Sequence, residues 1–222
     1  MRKISAIEPQ KKNPNRVNIY LDDQFAFGLS RIVAAWLSAG QMLSEDKITS
    51  LQMEDARELA MQKALHFLGY RARSVQEVRA NLEKHEIPPA VIEHTLQRLK
   101  ENNLLNDKEF ARTWVENRNT FRPRSQRVIS MELRRKGLDD EIVQDALSGN
   151  VNEDVLAMDA ARRYLRKVQG LAWPEFRQKL VGFLGRRGFA YEVCAPVVRS
   201  LWNEIHPGVS QSNINDNNEE VI

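Results

Sequence analysis

Apolar and polar residues alternate in two short runs near the start of the chain. Val17-Asn18-Ile19-Tyr20-Leu21 and Gln24-Phe25-Ala26-Phe27-Gly28-Leu29 each send successive side chains to opposite faces, as half-buried strands do. Asp22-Asp23 between them supplies a tight turn, so the segment predicts a β-hairpin. Residues 4–7 add a third strand across the polar loop 9–15. So small a sheet is marginal alone and needs a helix to pack on.

From about Ser30 onward the pattern is helical. Ser44-Glu45-Asp46-Lys47 opens one helix with a capping serine and first-turn acids, and a long periodic segment follows over residues 56–67. The apolar positions then repeat. Val78, Leu82, Ile87, Ile92 and Leu96 recur 51 residues later as Ile129, Leu133, Leu138, Val143 and Leu147, and again as Leu180, Leu184, Phe189, Cys194 and Val198. A fixed period of this size marks stacked supersecondary units.

Each unit reads as three helices. In the first, Ser74-Val75-Gln76-Glu77 is a capping box at the start of the second helix. Pro88-Pro89 starts the third, because proline suits the first helical turn. In the second unit, Asp139-Asp140-Glu141 places acids at the matching helix start, where the helix dipole favours them. Asn106 and Glu109 give that unit's first helix a box-like start. The third unit is the loosest copy, with Trp173-Pro174-Glu175 where the others have Arg-Ser. The fold class predicted is therefore mostly α, an elongated tandem array of three-helix repeats with a small N-terminal β-hairpin extension. The expected divisions are an extension over 1–50, repeats over 51–103, 104–150 and 151–206, and a disordered acidic tail over 207–222. That tail is nearly all polar and cannot offset its ordering entropy.

Composition adds modest constraints. The 222 residues carry 28% charged side chains and a net charge of +3, so the surface is densely charged and mildly basic. One cysteine excludes a disulfide scaffold. No apolar run approaches the roughly 20 residues that span a bilayer. The expected location is the cytoplasm.

The cations are more informative in their placement. A helix turns by about 100° per residue, so Arg127 and Arg134 share one side of the middle repeat's second helix with Arg135 nearby. Ile129 and Leu133 face the other way. Arg122, Arg124 and Lys136 flank this face, and few acids interrupt it. The pattern follows the period: Lys84, Arg135 and Arg186 share one register, His85, Lys136 and Arg187 the next, and Arg73 matches Arg124. Such a row suits an anionic partner such as a nucleic-acid backbone or a protein filament. A solvated helix face is the competing explanation, and Val128 and Met131 break the basic arc; the binding reading is favoured for the middle repeat and stands even with it for the others.

Enzymatic chemistry finds no foothold. The glycines over 182–188 lack the preceding strand and the Gly-Lys-Ser/Thr of a phosphate loop, and Gly188 reads as a helix cap equivalent to Gly137. His66, His85, His94 and His206 are scattered without companion ligands. Cys194 holds a core register and reads as a small buried hydrophobe. Trp114, Trp173 and Trp202 read as packing anchors. No cofactor or metal site is expected.

Several stretches resemble the RecX family of bacterial recombination regulators. They are Arg73-Ser74 with Glu77-Val78-Arg79, Leu104-Leu105-Asn106-Asp107 with Phe110-Ala111, and above all Phe121-Arg122-Pro123-Arg124-Ser125 followed by Glu132-Leu133-Arg134-Arg135-Lys136-Gly137-Leu138. The hairpin over 18–23 is similar to an extension found on some members. The likeness spans about residues 1–206, and departs from the pattern at Trp173-Pro174 and Gly185. It implies a non-enzymatic array of three-helix repeats that binds the RecA recombinase, chiefly its filament on single-stranded DNA, and restrains its activity. The contacts it implies are Arg122, Arg124, Arg127, Arg134, Arg135 and Lys136, divided between RecA and single-stranded DNA; the charge register adds Arg73, Lys84, Arg186 and Arg187. A monomer with no membrane partner is expected. The alternative is a helix-turn-helix-like DNA-binding regulator, but Pro88-Pro89 and Asp139-Asp140 suit a base-reading helix start poorly. A third reading, an adaptor for an acidic protein, would show no salt-sensitive affinity for single-stranded DNA.

Overall fold

A computed structural model describes residues 1–149 and 152–207. The acidic tail predicted over 207–222 lies outside them except for Pro207. The chain forms two compact units, Met1–Asp107 and a second beginning at Lys108.

The first unit opens with an antiparallel sheet of four strands: β1 (Arg2–Gln10), β2 (Asn13–Leu21), β3 (Gln24–Ser30) and β4 (Met42–Leu43), in the order β3-β2-β1-β4. The hairpin stands where the alternation predicts it. The third strand is longer than residues 4–7, and β4 carries too little pattern to be read from two residues. Asp22 and Asp23 both take positive φ, 51° and 65°, the backbone that a two-residue turn between twisted strands demands. The Asp22 carboxylate accepts from the Lys3 backbone N–H at 3.1 Å and from Arg2 Nε at 3.2 Å, which ties the turn to β1. Those two contacts hold its pKa below the ordinary carboxylate value, the backbone hydrogen bond most of all.

Ile4, Val17, Ile19, Leu21, Phe27, Leu29 and Leu43 form the sheet's inner face and meet Ile48 and Leu51 of helix α1 (Glu45–Leu68). Ser44 caps α1 by accepting from the Lys47 N–H. At the β3 edge, Asp55 of α1 accepts from Ser30 N at 2.6 Å and from Arg16 at 2.8 Å, and Arg16 also donates to the Gly28 carbonyl. An edge strand left bare would invite foreign pairing; here Asp55 occupies the amide of the strand's last residue, Ser30. The short 3-10 turn Val33–Trp36 packs Ala34 inward and leaves Trp36 91% exposed.

The second half of α1 is also the first helix of the first repeat. Ala60 and Ala64 are buried against α2 (Val75–Lys84) and α3 (Pro89–Glu101), and Ser74 and Glu77 make the predicted capping box. The second unit holds α4 (Asp107–Phe121), α5 (Gln126–Arg135) and α6 (Asp140–Ser148), then α7 (Glu153–Tyr164), α8 (Trp173–Arg186) and α9 (Tyr191–Ile205). Asp107, the first residue of α4, falls at the boundary. Among the described residues there are nine α-helices, three to a repeat.

Every apolar position of the 51-residue register is buried in all three copies, including Cys194. Burial of a side chain of this kind contributes about 1.5–3 kcal/mol, so the register fixes each three-helix core. Burial also pushes the Cys194 thiol pKa up, as befits a core residue. One further position obeys the period. Glu86, Gly137 and Gly188, just after the second helix of each repeat, all have positive φ, at 58°, 80° and 91°. That left-handed residue ends the helix and turns the chain toward the third.

The third repeat is built differently at its start. α2 and α5 begin in register, at Val75 and Gln126, but α8 begins one turn early, at Trp173. Trp173, Phe176 and Trp202 pack together there, and His206 stacks on Trp202. An aromatic plug thus replaces the Arg-Ser corner of the other two repeats.

Candidate interaction surface

The predicted cations divide into two groups once their partners are known. On α5, Arg127, Ser130 and Arg134 are spaced three and four apart and lie on one face. With Gln126, Lys108, and Glu141, Ile142 and Asp145 of α6 they line a groove of about 840 Å³. Arg127 is exposed and meets no acceptor among the described residues. Arg134 Nε sits 2.6 Å from Asp140, but both side chains are about half exposed or more. A solvated pair of this kind contributes well under about 1 kcal/mol and exchanges readily for another anion.

Lys84, Arg135 and Arg186 are each the last residue of their repeat's second helix, and all three are exposed. The negative end of a helix dipole favours a cation at that place, so local physics explains the register without a partner. None of the three meets an acceptor among the described residues.

Four others, Arg73, Arg124, Lys136 and Arg187, are engaged inside the fold. The Arg73 guanidinium lies 4.0 Å from the Phe67 ring centre, and its Nε is buried without a hydrogen-bond partner. Lys136 Nζ sits 4.5 Å from the Trp114 ring centre. Arg124 donates to Glu132 at 2.5 Å. Glu132 also accepts from Arg118 Nε at 2.7 Å and Trp114 Nε1 at 2.9 Å, so this single acid interrupts the arc that reads as nearly free of acids. Arg187 donates to the Pro123 carbonyl at 2.9 Å and stacks over Phe183.

Arg187 leads to a corner that the period alone does not reveal. The segment joining α4 to α5 meets the third repeat there. Arg163 of α7 donates to the carbonyls of Thr120 at 2.7 Å and Phe121 at 2.9 Å. Ser125 N donates to the Arg187 carbonyl at 3.1 Å, and Gly188 abuts Ser125 and Val128 so closely that a Cβ there would lie 2.2 Å from Val128 Cγ2. Arg122, exposed and without an acceptor among the described residues, sits in the same segment. The proton affinity of Arg187 is lowered, first by burial and then by the charges of Arg124, Arg163 and Arg122. Four guanidinium groups thus share one corner, and among the described residues Glu132 is the acid paired to any of them. Arg163 is the member that sequence reasoning misses. It lies one period after Arg112, which is the signal that could have raised it.

A second device recurs at the repeat boundaries. The Val75 N–H, at the start of α2, donates to Asp107 at 2.9 Å, and the Gln126 N–H, at the start of α5, donates to Glu153 at 2.8 Å. In each case an acid from the first turn of the following helix triplet satisfies an amide that a helix start leaves bare.

Comparison with known proteins places this architecture. Profiles described as the regulatory protein RecX N-terminal domain and the first, second and third RecX three-helix domains match residues 2–44, 60–99, 106–147 and 152–198. The regulatory protein RecX of Bacillus subtilis (strain 168) is 36% identical over 202 residues, covering 89% of this chain and 76% of its own. Its counterpart in Bacillus velezensis is 34% identical, covering 86% and 74%. A crystal structure of regulatory protein RecX aligns with a TM-score of 0.65 at 27% identity, over 89% of this chain and 98% of the other. No described helix is long and apolar enough to cross a membrane.

Proposed function

The chain belongs to the RecX family of regulatory proteins, and from that premise we propose that it restrains the RecA recombinase by docking on its filament on single-stranded DNA, without catalysing a reaction. The observation that carries this reading is the set of exposed cations on and beside α5. Arg127 and Arg135 meet no acceptor among the described residues, and Arg134 has one it can exchange. Uncompensated guanidinium groups on a rigid helix present fixed, forked donors for carboxylates or phosphates. The same register at Lys84 and Arg186 supplies further contacts, so weak ones add as linked sites.

The test uses the full chain with Arg127→Glu and Arg135→Glu together. Both side chains are exposed, and reversing the helix-end charge at Arg135 costs only about 1 kcal/mol, so circular dichroism stays unchanged. Inhibition of RecA-driven ATP hydrolysis on single-stranded DNA then weakens at least tenfold. Undiminished inhibition by a folded double variant would sink the reading. A footprint on one specific duplex sequence would favour the helix-turn-helix alternative.

A further inference from the structure

We propose that the arginine corner over residues 120–125 is a phosphate site that grips the backbone of a single-stranded nucleic acid, with Phe121 as the stacking surface for a base. This deepens the reading above and rests on it for the source of the strand, but concerns residues apart from the α5 groove.

The corner is built as a binding site is built. Arg163 and Arg187 are anchored on three main-chain carbonyls of one short segment, those of Thr120, Phe121 and Pro123. Arg187 is further fixed by its ring contact with Phe183, 4.6 Å from the centroid, and Arg124 by Glu132. Their forks are therefore largely ordered before any ligand arrives, which removes much of the entropic cost of binding. Carbonyl anchors carry no net charge. No acid among the described residues pairs with Arg163, Arg187 or Arg122, so their positive charge stays uncompensated, and each guanidinium has five N–H donors.

A purely structural account covers only part of this. The carbonyl end of α4 attracts cations, which explains Arg163 and Arg187 singly. It does not explain why further charges gather around Arg187, whose protonated form is opposed by burial and by three neighbouring arginines. A bound phosphodiester relieves that opposition and fits the planar fork. Phe121 separates a nucleic acid from a free anion. It is 68% exposed, directly beside Arg122, and is not part of the core of its repeat. Rings of this kind stack on bases irrespective of sequence.

The experiment needs no recombinase, so it can fail while the reading above survives. Fluorescence anisotropy with a labelled 15-nucleotide oligo-dT measures affinity across a salt series, and thermal shift with pyrophosphate measures anion binding alone. Arg122→Gln and Phe121→Ala alter exposed side chains, so both variants fold. Expected is a roughly tenfold loss of oligo-dT affinity in each, with the salt slope reduced by about one in Arg122→Gln only. The pyrophosphate shift is lost in Arg122→Gln and kept in Phe121→Ala. Unchanged oligo-dT affinity in both variants would overturn the proposal. So would a pyrophosphate shift without oligo-dT binding, which would make the corner a free-anion site. Loss of oligo-dT binding only in the Arg127→Glu, Arg135→Glu variant would overturn it too, by moving the strand to α5.

Discussion

Glu86 stands in a backbone conformation that glycine fills in the two later repeats. A side chain at positive φ costs about 1–2 kcal/mol, while glycine's extra freedom in the unfolded chain offsets part of any gain. Glu86→Gly should therefore stabilise the protein by about 0.5–1 kcal/mol, read as a higher urea midpoint. Gly188→Ala should do the reverse, and more strongly. It combines φ +91° with a Cβ overlapping Val128, so a loss of about 3 kcal/mol is expected. The period at Gly137 and Gly188 made the helix caps legible in the sequence, but glutamate disguised the first copy. The cations were legible as positions and not as partners. The contact of Arg187 with Pro123 joins residues 64 apart, and no periodicity reports on that.

Among elements, the N-terminal sheet depends on charges placed at its margins. Removing Asp55 leaves Arg16 buried without its acid and Ser30 N without its acceptor. Asp55→Ala should cost about 3–5 kcal/mol, measured by chemical denaturation. The turn aspartate acts through pH instead. Because folding lowers the Asp22 pKa, its contribution is present above the ordinary value of about 4 and fades as pH falls through the lower folded value. Asp22→Asn should lower stability at neutral pH, where the charged group contributes fully, and converge on the parent protein as pH falls, so that the acid side of the stability profile flattens. Helix starts such as Ser44 and Ser74 were legible because their caps are local. The boundary acids Asp107 and Glu153 were not, since each satisfies a helix start in the preceding triplet.

At the scale of the whole chain, the triplication of one core was open to reading because burial follows the same register each time. What ends the series was only half legible. Trp173-Pro174-Glu175 marked the third copy as atypical, but its role depends on Phe176 and Trp202 meeting across α8 and α9. Phe176 is fully buried, and Phe176→Ala should cost about 3–5 kcal/mol. Faster amide exchange in α7, α8 and α9, with α2 and α3 unaffected, would locate that loss in the last repeat.

Trp36 has an optical consequence. Three of the four tryptophans pack against neighbouring rings or cations, whereas this one stands in solvent. Its emission is red-shifted and open to collisional quenching by iodide or acrylamide. Shielding from quencher would then mark the moment a ligand covers the β-sheet extension, with no label added.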